Sequence, residues 1–203
     1  LRAHFLGLGL SLKSVSFQPK PLNPSAGEKD ADPVEREGKM LSNVFNRVAR
    51  SCFYTIQKYG EPIMPMGQVS EEVLHDAKET ILKYEHAMYK FEFHTVMNLM
   101  DTYIRNANKF WAKNIKDAEA DPEKRNQVLI DTLHMVKTAM VLMHPVAPKG
   151  TELLCEYLGF GKDIWNWEHV FDTLTDLAKA NGETEHRLKF LEPRFDFFPM
   201  KAR

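Results

Sequence analysis

The chain has 203 residues, 43% hydrophobic and 27% charged, with a formal net charge of −1, a balance that allows one well-buried core and excludes a disordered composition. No apolar run approaches the roughly 18 residues of a membrane span, and the near-neutral charge requires any nucleic-acid partner to be argued from local patches. Cys52 and Cys155 stand far apart in apolar helical patterns and read as reduced core thiols of a cytoplasmic protein, not as a disulfide framework or a zinc site.

Position 1 is Leu, and LRAHFLGLGL lacks the basic start and cleavage site of a signal peptide, so the sequence reads as a piece of a longer chain. Residues 1–10 are short, apolar and helical in pattern, like the end of a preceding element. Residues 11–31 carry Pro19, Pro21 and Pro24 among Gly, Ser and Asp, and read as an exposed linker. Residues 32–203 are then expected to form one helical domain with an aromatic tail.

The first long helix is predicted from Asp32 to Gly60, with Asp32 as cap, Pro33 at the first helical position, Glu35 completing a capping box and Gly60 as stop. Leu41, Val44, Phe45, Val48, Cys52 and Ile56 recur at spacings of three and four and form its core face. Asn43, Arg47, Arg50 and Tyr54 fall within about 60° of one another on the other side, giving a polar stripe facing water. By periodicity alone this stripe is a solvated helix face.

Ser70 is expected to cap a second helix over EEVLHDAKETILKYEHAMY, with Leu74, Ala77, Ile81, Tyr84 and Met88 buried and two leading glutamates suited to the positive helix start. The third runs from near Glu92 to Lys116. Val96, Met100, Tyr103, Ala107 and Trp111 share its core face, while Arg105, Lys109, Lys113 and Lys116 line the other within about 80°. Asp121 and Pro122 start a fourth helix carrying Leu129, Leu133, Val136, Met140 and Met143, which ends at HPVAP. GTELLCEYLGFG forms a short fifth helix closing at Gly159. Beyond Lys162, DIWNWEHVFDTL would cover the open end of the bundle and KFLEPRFDFFPMKAR would be an extended tail. With no period-2 run long enough for a sheet, the architecture is all-α, an antiparallel bundle of about five helices.

Catalytic signatures are missing. There is no Gly-rich phosphate loop, CxxC pair or HExxH motif, and the eight histidines show no metal-ligand spacing. Asp76 with Glu79, and Glu71 with Glu72, read as surface carboxylates, and His144 as a helix-end residue.

LSNVFNRVARS, NANKFW, LMHPVAPKGTELLCEYLG and KFLEPRFDFF nevertheless follow one another in an order that resembles the C-terminal anticodon-binding domain of methionyl-tRNA synthetases, class I aminoacyl-tRNA synthetases. They are similar, in turn, to the family's Asn-Leu-Val-Asn-Arg helix, its Ala-Asn-x-aromatic segment, its HPFMPxxAxxIxxxLG turn and helix, and its LFPRID-like ending. The opening LRAHFL resembles the LRYYLL element that follows the family's catalytic domain. The resemblance implies a tRNA-binding domain in translation, with a methionine-type tRNA and the catalytic domain of the parent ligase as partners, and neither DNA nor a membrane. ATP would serve that catalytic domain. No cofactor or metal is expected in this chain, and no activity from it alone, since the His-Ile-Gly-His and Lys-Met-Ser-Lys-Ser signatures are not in it.

Carried over by position, the family's anticodon-reading residues fall on Asn43 and Arg47, with Arg50, Tyr54, Arg105, Lys109, Lys113 and Lys116 as further tRNA contacts. One departure stands out. The family's stacking Pro-Trp pair counts to Lys116 and Asp117, where there is no aromatic ring, and Trp111 nearby belongs to the core face. A competing reading of the same polar faces is a synthetase-like protein-interaction module, and a weaker one is a hydrolase built on a histidine and carboxylates.

Overall fold

The computed structural model describes residues 2–10, 14 and 38–199. Within them the chain is all-α: α1 (Arg2–Gly7), α2 (Asn46–Tyr59), α3 (Glu71–Tyr89), α4 (Phe93–Ala118), α5 (Pro122–Met143), α6 (Pro148–Leu158) and α7 (Leu174–Ala180). Apart from residue 14, the linker lies outside the described residues, as do the capping residues Asp32, Pro33 and Glu35.

Helix α5 is the axis of the bundle. It packs on α2, α3, α4, α6 and α7, so its residues 131–143 are buried on every side, and a helix surrounded in this way has no polar face to present. Two of its buried polar side chains, Asp131 and Lys137, are satisfied by partners within the fold. Asp131 accepts from the Ser70 N–H (2.8 Å) and the Ser70 hydroxyl (2.7 Å). Ser70 thus precedes α3 as expected but spends its hydroxyl on α5 and makes no side-chain cap. The Lys137 ammonium, fully buried, donates to the carbonyls of His169 (2.8 Å), Val170 (2.8 Å) and Asp172 (2.9 Å). Three donors meet three acceptors, and the aromatic segment after α6 is fastened to the core at that point.

Where one continuous α-helix was expected to Gly60, the turn Met40–Phe45 is π-helical and runs directly into α2. Phe45, Val48, Cys52 and Ile56 are buried as the periodicity required, while Leu41 and Val44 are half-buried against the same core. The predicted fourth helix starts on Asp121, whose carboxylate accepts from the N–H groups of Glu123 and Lys124. The fifth begins two residues earlier than its motif, at Pro148, and closes on Gly159 in the left-handed region, φ 80°.

The bundle has more than the five expected helices. The segment after Lys162 forms two 3-10 turns, Lys162–Trp165 and Trp167–His169, and then α7, held by a capping box between Thr173 and Asp176. The tail beyond α7 is extended and recrosses α2. Phe197 and Phe198 are buried, and Phe198 passes so close to Gly150 that a Cβ there would stand 2.3 Å from its ring. Both thiols are buried and free. Burial pushes the Cys52 pKa far up and that of Cys155 to about 11, so neither is a nucleophile at neutral pH.

Candidate nucleic-acid interface

The π turn presents Asn43 and the first turn of α2 presents Arg47, both exposed. An i→i+5 turn is wider than an α turn and shifts the register by one residue, an arrangement frequent at functional sites. Here Met40, Phe45 and Asn46 go to the core and Asn43 stays outside. The Arg47 guanidinium donates through Nη2 to Asn43 Oδ1 at 2.6 Å. That bond fixes the two side chains as a unit, leaving the Asn43 amide N–H groups and the rest of the guanidinium facing outward.

The other two members of the predicted stripe are placed differently. Arg50 and Tyr54 do not simply face water, because the C-terminal tail lies over them. Arg50 Nη1 is 2.6 Å from Asp196 Oδ1, and the Tyr54 hydroxyl donates to the Glu192 carbonyl at 3.0 Å. Nothing in a local helical pattern signals a partner so far along the chain. The exposed part of the stripe is therefore Asn43 and Arg47.

On α4, Arg105, Lys109, Lys113 and Lys116 are all exposed. Arg105 pairs with Asp101 at 2.8 Å, whereas Lys109, Lys113 and Lys116 form no ion pair among the described residues. Lys116 and Asp117 fall in the last turn of α4, and no ring occupies either position. Trp111 is buried on the core face, as its register predicts.

Between α2 and the end of α4 there is a cavity of about 310 Å³, lined by Tyr54, Lys58, Tyr59, Trp111, Lys116 and Arg125 among others. Lys58, Tyr59 and Arg125 were missed by sequence reasoning. Arg125 comes from the start of α5 and meets Tyr59 only through the fold, so no spacing links them. Lys58 donates to Glu119 Oε1 at 2.8 Å, which raises the lysine pKa and lowers that of Glu119. Among the described residues no group of three or more metal-ligating side chains converges, and no helix among them is long and apolar enough to cross a membrane.

No protein-family model matches the chain. It is similar to the methionine–tRNA ligase of Enterococcus faecalis, 26% identical over 137 residues, which is 66% of this chain and 20% of that protein. The ligase of Methanocorpusculum labreanum is 28% identical over 132 residues, 61% of this chain and 19% of that one. The mitochondrial methionine–tRNA ligase of Xenopus laevis is 23% identical over 185 residues, 80% of this chain and 32% of its own length. The chain thus spans between about a fifth and a third of these relatives. Among solved structures, Mycobacterium tuberculosis methionyl-tRNA synthetase bound by methionyl-adenylate superposes with a TM-score of 0.68 at 19% identity, over 82% of this chain and 33% of that one. The chain therefore resembles the methionyl-tRNA synthetases in sequence, and its fold is that of part of one of them.

Proposed function

We propose that this chain, similar to part of the methionyl-tRNA synthetases, reads the anticodon of a methionine-type tRNA in the cytoplasm for a ligase whose ATP-dependent joining step belongs to a catalytic domain outside these 203 residues. The observation that carries this reading is the exposed Asn43–Arg47 pair, two side chains one turn apart and locked together at 2.6 Å. An amide pairs with base edges, and a guanidinium grips a base or a phosphate with a rigid fork. RNA loops are read in this way, through unstacked bases held by hydrogen bonds and flat side chains. The lysines of α4 supply phosphate contacts whose counterion release makes affinity fall with salt.

The test is a salt titration of the chain against anticodon stem-loops carrying CAU and a scrambled triplet. The CAU loop is expected to bind more tightly, and both complexes to weaken as salt rises. Equal affinity for the two loops would end the anticodon reading.

A further inference from the structure

Ser51, Tyr54 and Lys58 follow Arg47 at spacings of four, three and four, so at 100° per residue they prolong its stripe along α2. Tyr54 lies about 10 Å beyond Arg47 at 1.5 Å per residue, and there the stripe opens into the cavity of about 310 Å³ against α4. The volume lies at the lower end of ligand pockets.

Its walls combine two chemistries. Tyr54, Tyr59 and Trp111 provide aromatic surface, and Lys58, Lys116 and Arg125 provide positive charge. Tyr59 is 43% exposed yet fixed on several sides. Arg125 Cζ lies 3.7 Å from its ring centroid, Lys58 Nζ lies 4.9 Å from it, and its hydroxyl donates to Glu119 Oε1 at 3.2 Å. Arg125 is itself held, donating to the Glu119 carbonyl at 2.9 Å. The Glu119 carboxylate is occupied by Lys58 and Tyr59. Lys116 at the rim forms no ion pair among the described residues, so the cavity keeps an excess of positive charge.

We propose that this cavity seats one unstacked nucleobase of the bound RNA, with Tyr59 and its stacked Arg125 as the flat surface and Lys116 at the phosphate. The proposal rests on the RNA-binding reading above. Flat rings beside cations suit a planar group attached to an anion, and the cavity continues the helix face that carries Arg47. Base stacking on aromatic side chains tolerates any base. This subsite therefore adds affinity without triplet discrimination, which separates its behaviour from that of Asn43 and Arg47.

The experiment measures binding of CAU and scrambled stem-loops to the wild type, Tyr59→Ala, Tyr59→Phe and Arg47→Ala. Tyr59→Ala is expected to weaken both loops by the same factor, between about fivefold and about a hundredfold. Tyr59→Phe, which keeps the ring, should stay within about twofold of wild type. A scan of abasic nucleotides through the loop should find one position at which Tyr59→Ala costs nothing further. If Tyr59→Ala binds like wild type while Arg47→Ala is weakened, the subsite falls and the anticodon reading stands. If Tyr59→Phe is as weak as Tyr59→Ala, the ring is not the contact and the proposal also falls. Absence of RNA binding by the wild type would overturn both.

Discussion

Arg50 and Asp196, 146 residues apart, are joined by a 2.6 Å ion pair, and Asn46, one turn before Arg50, donates to the same carboxylate oxygen at 2.5 Å. The Asn46 side-chain oxygen Oδ1 in turn accepts the Phe197 N–H at 2.9 Å, and Gln57 exchanges two hydrogen bonds with the Leu191 backbone. One side of α2 is thus a track for the C-terminal tail, and the adjacent stripe carries Asn43 and Arg47. The tail settles how α2 sits, and hence where that pair points.

Asn46→Ala should accordingly be costly. Asn46 is 2% exposed, and its loss strands the buried Phe197 N–H, which costs about 1–3 kcal/mol. Asp196→Asn should cost less, about 0–1 kcal/mol, because the Arg50 pair is partly exposed and screened by solvent. Urea unfolding midpoints of the two variants check the ranking, and equal midpoints would contradict it.

The core faces were legible because helical periodicity is a local property. Val96, Met100, Tyr103, Ala107 and Trp111 repeat at helical spacing, and all five are buried. The π turn was not legible, since the residues of Met40–Phe45 fit an α pattern equally well and only packing of Met40 and Phe45 selects the wider turn. Helix α7 had its capping residues, Thr173 and Asp176, in plain view, but the aromatic run before it broke the periodicity. At the site, Asn43 and Arg47 were recognisable one turn apart, whereas the covering of Arg50 and Tyr54 by the tail depends on contacts between distant residues that no spacing records.

His134 makes stability depend on pH. Burial, reinforced by the nearby Lys137 charge, lowers its pKa to about 4, and its Nδ1 has no hydrogen-bond partner among the described residues. The folded state keeps this imidazole neutral between pH 6.5 and about 4, whereas the unfolded chain protonates it. The unfolded state then binds more protons, so stability rises with pH across that window and is lost on acidification, by up to roughly 3 kcal/mol. His134→Leu should flatten the slope in that interval while moving stability at pH 7 little. An unchanged slope in the variant would mean that other groups carry the acid sensitivity.

Lys109, Lys113 and Lys116 should behave as phosphate contacts. Each Lys→Ala change is expected to weaken the CAU and scrambled stem-loops equally and to make the logarithmic salt slope shallower by about one unit. Slopes that do not change would reduce the α4 stripe to solvated surface.

Asn43 and Arg47 are the residues on which discrimination should turn. Both are exposed, and the bond between them joins side chains on one surface, so Asn43→Ala and Arg47→Ala should each shift stability by no more than about 0.5 kcal/mol. Their effect on RNA is of another kind. A lost base contact is expected to reduce the preference for CAU over the scrambled triplet by about 1–3 kcal/mol, by analogy with base-edge readout in duplexes. Because Arg47 donates to Asn43, removing either partner frees the other, and the two losses should be less than additive in the double variant. Measuring both stem-loops against the wild type, the single variants and the double variant gives this cycle. Simple additivity would mean that the two side chains act on the RNA separately, and unaltered discrimination in both single variants would remove them from the interface.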